Sequence, residues 1–141
     1  MMDLREQFKT VLAEFGDLMN VRLETDEDDG CWMLMDETIE IRLDFDAEND
    51  SVRLWSPIGE LPPDAAASGL AQGLLALCGD DDVTRGFVVG MDGETRQLAI
   101  LGMCPATWLY SAGCMAEWLE RLNNFYGRVQ EVLGPRRTTQ G

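Results

Sequence analysis

Residues 51–63 read SVRLWSPIGELPP, a strand pattern that meets Ser56-Pro57, then Gly59, then Pro62-Pro63. Val52 and Leu54 alternate with Arg53, the period-two pattern of a half-buried strand, yet Trp55 falls on the Arg53 side, where a solvated face should be polar. A tryptophan on the wet face calls for a cover. Pro57 lacks a backbone donor and holds its predecessor extended, so pairing is predicted only to about residue 56. Beyond it the chain is expected to cross stiffly from sheet to helix.

The segments upstream build towards that strand. Over residues 3–20, Leu4, Phe8, Val11, Leu12, Phe15, Leu18 and Met19 recur at three- and four-residue intervals, the stripe of an amphipathic helix. Gly16 near its end lowers helicity, and the acidic run 25–30, TDEDDG, is expected to be a solvated loop. From Cys31 the period changes to two. Residues 31–35, CWMLM, are apolar on both faces, and Asp36-Glu37 makes a tight turn. Over 38–45, Ile39, Ile41, Leu43 and Phe45 point one way and Thr38, Glu40, Arg42 and Asp44 the other. With the strand at 51 this predicts a three-stranded antiparallel meander, whose first strand needs apolar cover on both sides.

Downstream, Asp64 can cap a helix over about 65–78, ended by Gly79; Leu70, Leu74, Leu75 and Leu77 stand there among Ala, Gly and Ser with almost no charge. Such a helix is either central to the core or buried against a second copy. Residues 86–91 and 97–103 form a second hairpin around Asp92-Gly93-Glu94, again apolar on both faces. A last helix is predicted over 111–133, stopped by Gly134-Pro135, with 136–141 a disordered polar tail after a single domain of 1–135. The order is α-β-β-β-α-β-β-α: an α+β domain with three helices against a bent antiparallel sheet of about five strands.

Composition removes most chemistries. With 26 acidic against 11 basic residues, a formal charge of -15 repels nucleic-acid backbones and anionic membrane surfaces, so neither is an expected partner. Histidine is absent, which withholds the commonest general acid-base and metal ligand. Cys31, Cys78, Cys104 and Cys114 are widely spaced in apolar stretches, with no C-x-x-C, and read as buried thiols. Aligning Gly30 with the calcium-loop glycine places Thr25, Glu27, Asp29 and Asp36 at ligand positions, a poor match; Asp44, Asp46, Glu48 and Asp50 lack the turn glycine. Paired carboxylates such as Asp26 and Asp36 have no oriented base or nucleophile beside them. No enzyme activity, metal or cofactor is expected. Residues 1–9, MMDLREQFK, lack the pattern of a signal peptide, and no apolar run is long enough to span a bilayer, so the expected location is the cytoplasm.

A small, very acidic chain of this element order, with the strand-end motif Leu54-Trp-Ser-Pro-Ile-Gly-Glu-Leu-Pro62 leading into its second helix, resembles the class I type III secretion chaperones, the Tir-chaperone-like (CesT) fold. The resemblance covers residues 3–133. The small-residue second helix and the Cys and Met content depart from it without removing a functional group. It implies a homodimer joined through the second helix and fourth strand. It also implies an effector whose N-terminal segment wraps in non-globular form around the first helix and first three strands, kept ready for export, with a secretion ATPase as a further partner. A regulatory homodimer of the same fold, binding a secretion or transcription regulator, is the alternative.

The residues themselves suggest two uncovered surfaces. For effector binding the candidates are Phe8, Leu12, Phe15, Trp32, Leu34 and Trp55, with Cys31, Met33 and Met35 as the other possible outward set of the first strand. For the dimer interface they are Leu70, Leu74, Leu77, Phe87, Val89 and Met91. The methionines suit a surface that adapts to partners of no fixed shape.

Overall fold

The computed structural model describes residues 3–60, 66–79 and 86–138, with side chains at all of these except 66–68, 70, 71 and 134–138. In chain order it holds α1 (Leu4–Met19), β1 (Gly30–Met35), β2 (Ile39–Asp46), β3 (Ser51–Glu60), α2 (Ala66–Cys78), β4 (Val88–Met91), β5 (Gln97–Pro105), a 3-10 turn (Ala106–Trp108) and α3 (Ala112–Thr138). This is the expected α-β-β-β-α-β-β-α order. One open antiparallel sheet runs β1-β2-β3-β5-β4, so the two hairpin units meet along β3 and β5.

Helix α1 starts where Asp3 accepts the Glu6 amide at 2.8 Å and stops where Asn20 turns left-handed at φ 59°. Its stripe of Phe8, Val11, Leu12 and Phe15 is buried against the sheet, with the Phe8 ring stacked on Phe45 at 6.0 Å. Gly16 is there for space. A Cβ at that position would stand 2.7 Å from the Val21 carbonyl, because the chain folds straight back along the helix. The acidic loop is likewise more than a solvated turn. Asp29 holds Arg5 at 2.8 Å, Asp26 holds Arg42 at 2.7 Å, and Leu23 packs against the core.

Alternation places Ile39, Ile41, Leu43, Phe45, Val52 and Leu54 on the inner face, and all are buried. From β5, Leu98, Ile100 and Cys104 join them, and α3 closes the core with Met115, Trp118, Leu119, Leu122, Phe125 and Val129. Each such side chain contributes about 1.5–3 kcal/mol by leaving water.

Two boundaries differ from expectation. β3 does not end at Ser56 but continues through Pro57 to Glu60. Pairing between β2 and β3 ends at Trp55, and beyond it Pro57 pairs with Ala99 of β5, where a missing donor on the other side costs nothing. A bulge at Pro57/Gly59, with Gly59 at φ 124°, absorbs the irregularity. The buried Ser56 hydroxyl donates to the Glu40 carbonyl at 2.6 Å and satisfies it in place of a ladder bond. Helix α3 runs on through Gly134 and Pro135 to Thr138; the proline forgoes one bond, to the Glu131 carbonyl, and the neighbouring turns carry the helix past it. The expected Asp64 cap and the charged break at 80–82 lie outside the described residues.

Candidate functional site

Among the described residues, no helix lies on the outer face of the sheet. Register aligns Trp32, Arg42, Trp55, Leu101 and Val88 directly across all five strands, β1 to β4, in one row. Period two makes this row the reverse of the Leu43 and Leu54 row, so sealing one face with helices necessarily presents the other. Trp32 is 53% exposed and Trp55 39%, and their rings meet edge to face at 5.7 Å. Leu34 and Met103 stand exposed on the same face.

Arg42 fixes the row. Its guanidinium lies over the Trp32 ring, 5.5 Å from the centroid, while Asp26 and Asp44 hold it at 2.7 and 2.8 Å. The Arg42 hydrogen bond, with help from the Gly30 amide, lowers the Asp26 carboxyl to about 2, and the two carboxylates raise Arg42 above its ordinary value. A cation that would repel an apolar partner is thereby neutralised and turned into a brace for the indole.

Two grooves leave the tryptophan pair in opposite directions. One, of about 580 Å³, is lined by Trp55, Arg53, Val88, Leu101 and Met103 with Asp44 at its rim. The other, of about 520 Å³, lies between β1 and the end of α1, lined by Met19, Leu23, Trp32, Leu34 and Met35, with Asp36 and Glu37 at its mouth. β1 is an edge strand of the sheet. The Phe45 amide donates to the Asp29 carbonyl, so by antiparallel alternation the main-chain groups of Trp32 and Leu34 point away from β2, towards the open edge.

The structure resolves which set of the first strand faces out: Trp32 and Leu34, while Cys31 is buried and Met33 and Met35 pack against the core. Trp32, Leu34 and Trp55 come together as a site. Phe8 and Leu12 do not join them; at 2% and 1% exposure they are core, because the helix stripe is what seals the inner face. Phe15 is also buried and reaches only the floor of the second groove. Among the residues proposed for a dimer interface, Leu74 and Leu77 are buried within the chain. Phe87 is buried too, stacked on Trp118 at 6.0 Å and Phe125 at 6.2 Å. Gly102 makes that slot, since a Cβ there would stand 2.5 Å from the Phe87 ring. Val89 is partly buried, Met91 is exposed, and the side chain of Leu70 lies outside the described residues.

Leu101, Met103 and Val88 were missed as members of the outer face. Their signal was present in the doubly apolar 97–103 strand, but placing them beside Trp55 needs the β3–β5 pairing, which joins segments far apart in the chain.

No protein-family model matches the sequence, and no curated protein matches it. Solved structures do match the fold. A chain of the HopA1–SchA chaperone–effector complex is 20% identical with a TM-score of 0.73, over 93% of this chain and 99% of that one. A chain of the ExsC–ExsE complex is 21% identical with a TM-score of 0.70, over 89% and 92%. A third match is to the complex of the Yersinia pestis type III secretion chaperone SycH with a stable fragment of YscM2, at 14% identity and TM-score 0.62, over 86% and 98%. Three helices on an open five-stranded antiparallel sheet is the architecture the sequence resemblance implied.

Proposed function

We propose that this chain is a type III secretion chaperone that holds the N-terminal segment of a secreted effector in extended form and keeps it fit for export. The observation that carries the reading is the exposed Trp32–Trp55 pair on the outer sheet face, with one apolar groove running from Trp55 along that face and another beside Trp32 between β1 and the end of α1. A segment laid along β1 gains main-chain hydrogen bonds from the open edge and anchors apolar side chains beside each indole. The fold it shares with a chain of a chaperone–effector complex and with a chain of a type III secretion chaperone complex supports the same reading. Excess negative charge speeds the approach of a basic segment, and the apolar grooves retain it.

In this reading the protein is a cytoplasmic homodimer without catalytic chemistry, residues 1–135 acting as one unit, with the secretion ATPase as a later partner. Among the described residues, exposed Leu75 on α2 and Met91 on the edge strand β4 are apolar groups that such a dimer would cover.

The test is calorimetry of an effector's N-terminal fragment against wild type and the Trp32→Ala/Trp55→Ala double variant, with light scattering on the same samples. Loss of the two indoles should weaken binding by roughly a hundredfold or more while scattering still reports a dimer. Unchanged affinity in the double variant places the effector elsewhere. A monomer at micromolar concentration in both proteins removes the dimer.

A further inference from the structure

All four cysteines are free, and three are settled by their surroundings. Cys31 and Cys104 are buried, and Cys78 accepts the Val89 amide at 3.4 Å beside β4. Cys114 stands apart from them at the start of α3. Ser111, just before the helix, accepts the Cys114 amide through its hydroxyl oxygen at 3.2 Å, and the same hydroxyl donates to the Cys114 sulfur at 3.3 Å.

Ser-x-x-Glu at a helix start is a capping box, in which a carboxylate at the third position reaches back over the first turn. Here Ser111-Ala-Gly-Cys114 puts a thiol in the place of that carboxylate, at the positive end of a 27-residue helix. The Ser111 hydroxyl foremost, then the Tyr110 hydroxyl and the amides of Tyr110 and Ser111, hold the thiol below its usual pKa against the opposing effect of burial. Tyr110 is raised in turn by the same thiol beside it.

A second, independent feature lies beside it. A cavity of about 170 Å³ is lined by Cys114 and Trp108 together with Cys104, Trp118 and Arg121. Cys104 reaches it from β5; it is 5% exposed and its thiol has no hydrogen-bond partner among the described residues. Burial pushes that thiol up to about 12, so it stays protonated and does not compete as a nucleophile. The remaining ionisable groups lining the cavity are Glu117 and Arg121, paired with each other at 3.0 Å, while Tyr110 is exposed beside Cys114. The space is therefore walled by two indoles on one hand and the Glu117–Arg121 pair on the other, with both thiols in its lining.

We propose that Cys114 is a modification site, at which its thiolate attacks a low-molecular-weight disulfide admitted to this cavity. The Cys114 sulfur bonds to one sulfur of R–S–S–R, the S–S bond breaks, and the other half leaves as R–S⁻. The protein thiol is oxidised and the small disulfide reduced, with no other reagent required. The adduct R lodges between Trp108 and Trp118. The proposal is independent of where an effector binds.

The full chain is mixed with 5,5′-dithiobis(2-nitrobenzoate), a small aromatic disulfide, near neutral pH, and the released thiolate is followed alongside Cys114→Ser, Ser111→Ala and Cys104→Ser. One thiol per chain should react roughly tenfold or more ahead of the other three, and peptide mapping should place the adduct on Cys114. The fast phase should vanish in Cys114→Ser. In Ser111→Ala its pH midpoint should move upward, whereas mere loosening of the helix end would speed several thiols and leave the midpoint in place. Cys104→Ser should keep both phase and midpoint. Cys114 reacting no faster than Cys78, a fast phase surviving Cys114→Ser, or an unmoved midpoint in Ser111→Ala would each overturn the assignment.

Discussion

On the inner face of the sheet Ile41, Leu43, Val52 and Ile100 are sealed completely; on the outer face of the same strands Trp32, Trp55, Leu101 and Met103 meet solvent. Both faces carry large apolar side chains, the outer one interleaved with Glu40, Asp44 and Arg53, so apolar content alone does not say which face is sealed. Chemistry does. The inner face is built of branched aliphatics that interlock with α1 and α3, and a glycine at 102 gives the Phe87 ring its place. The outer face sets flat indoles, a thioether and a braced guanidinium among its aliphatics Leu34, Leu101 and Val88, and nothing among the described residues interlocks with them. One face makes the fold stable; the other stays open to solvent.

Substitution should separate them by size of effect. Leu43→Ala, fully buried between β1 and β3, should lower unfolding free energy by about 2–5 kcal/mol in a urea titration. Gly102→Ala, which drives a methyl into the Phe87 ring, should cost about 1–3 kcal/mol by the same measurement. Trp55→Ala on the outer face should cost about 1 kcal/mol, chiefly the lost contact with Trp32. If Trp55→Ala proves as damaging as Leu43→Ala, the outer face is a second core and the comparison fails.

The smallest effect sharpens the role of Arg42. Asp26 has its folded pKa depressed from 3.8 to about 2, with the Arg42 hydrogen bond the main cause. A depressed carboxyl contributes stability above its unfolded pKa and loses it as pH falls through the folded value, here the interval from 3.8 to about 2. Arg42→Gln should flatten the decline of stability across that interval. An unchanged slope would mean that the brace under Trp32 is held by Asp44 alone.

Much of this architecture could be read from period and punctuation. The 38–45 alternation, the Asp3 and Asn20 ends of α1, and the turns at 36–37 and 92–94 each specify local geometry, and the structure repeats them. Contacts between distant segments were not legible. Phe8 and Leu12 looked as suitable for a groove wall as for a core, because an amphipathic stripe records only that something covers it. Phe87 looked like an interface residue because its slot is made by an absent side chain at Gly102. Pro57 signalled an end to β3, but a strand that has already lost one neighbour tolerates a missing donor. Arg42 carried no visible sign of its task, since its partners Asp26 and Trp32 belong to a loop and a strand earlier in the chain.

The long ladder between β3 and β5 has a consequence in time. Ser51 pairs with Pro105 and Glu60 with Gln97, so the centre of the sheet joins segments with α2 and β4 lying between them in the chain. β1–β2–β3 and β4–β5 are hairpins of consecutive strands, which need only short loop closures; the ladder that unites them needs a long one and is the slower event. The Trp32–Trp55 contact lies wholly within the first unit, whereas the Phe87 slot exists only after the second has docked. During refolding, amides of β2 facing β1 should therefore gain protection from hydrogen exchange before those of β5 facing β3. A nascent chain would present its indole pair while its own core was still open to water.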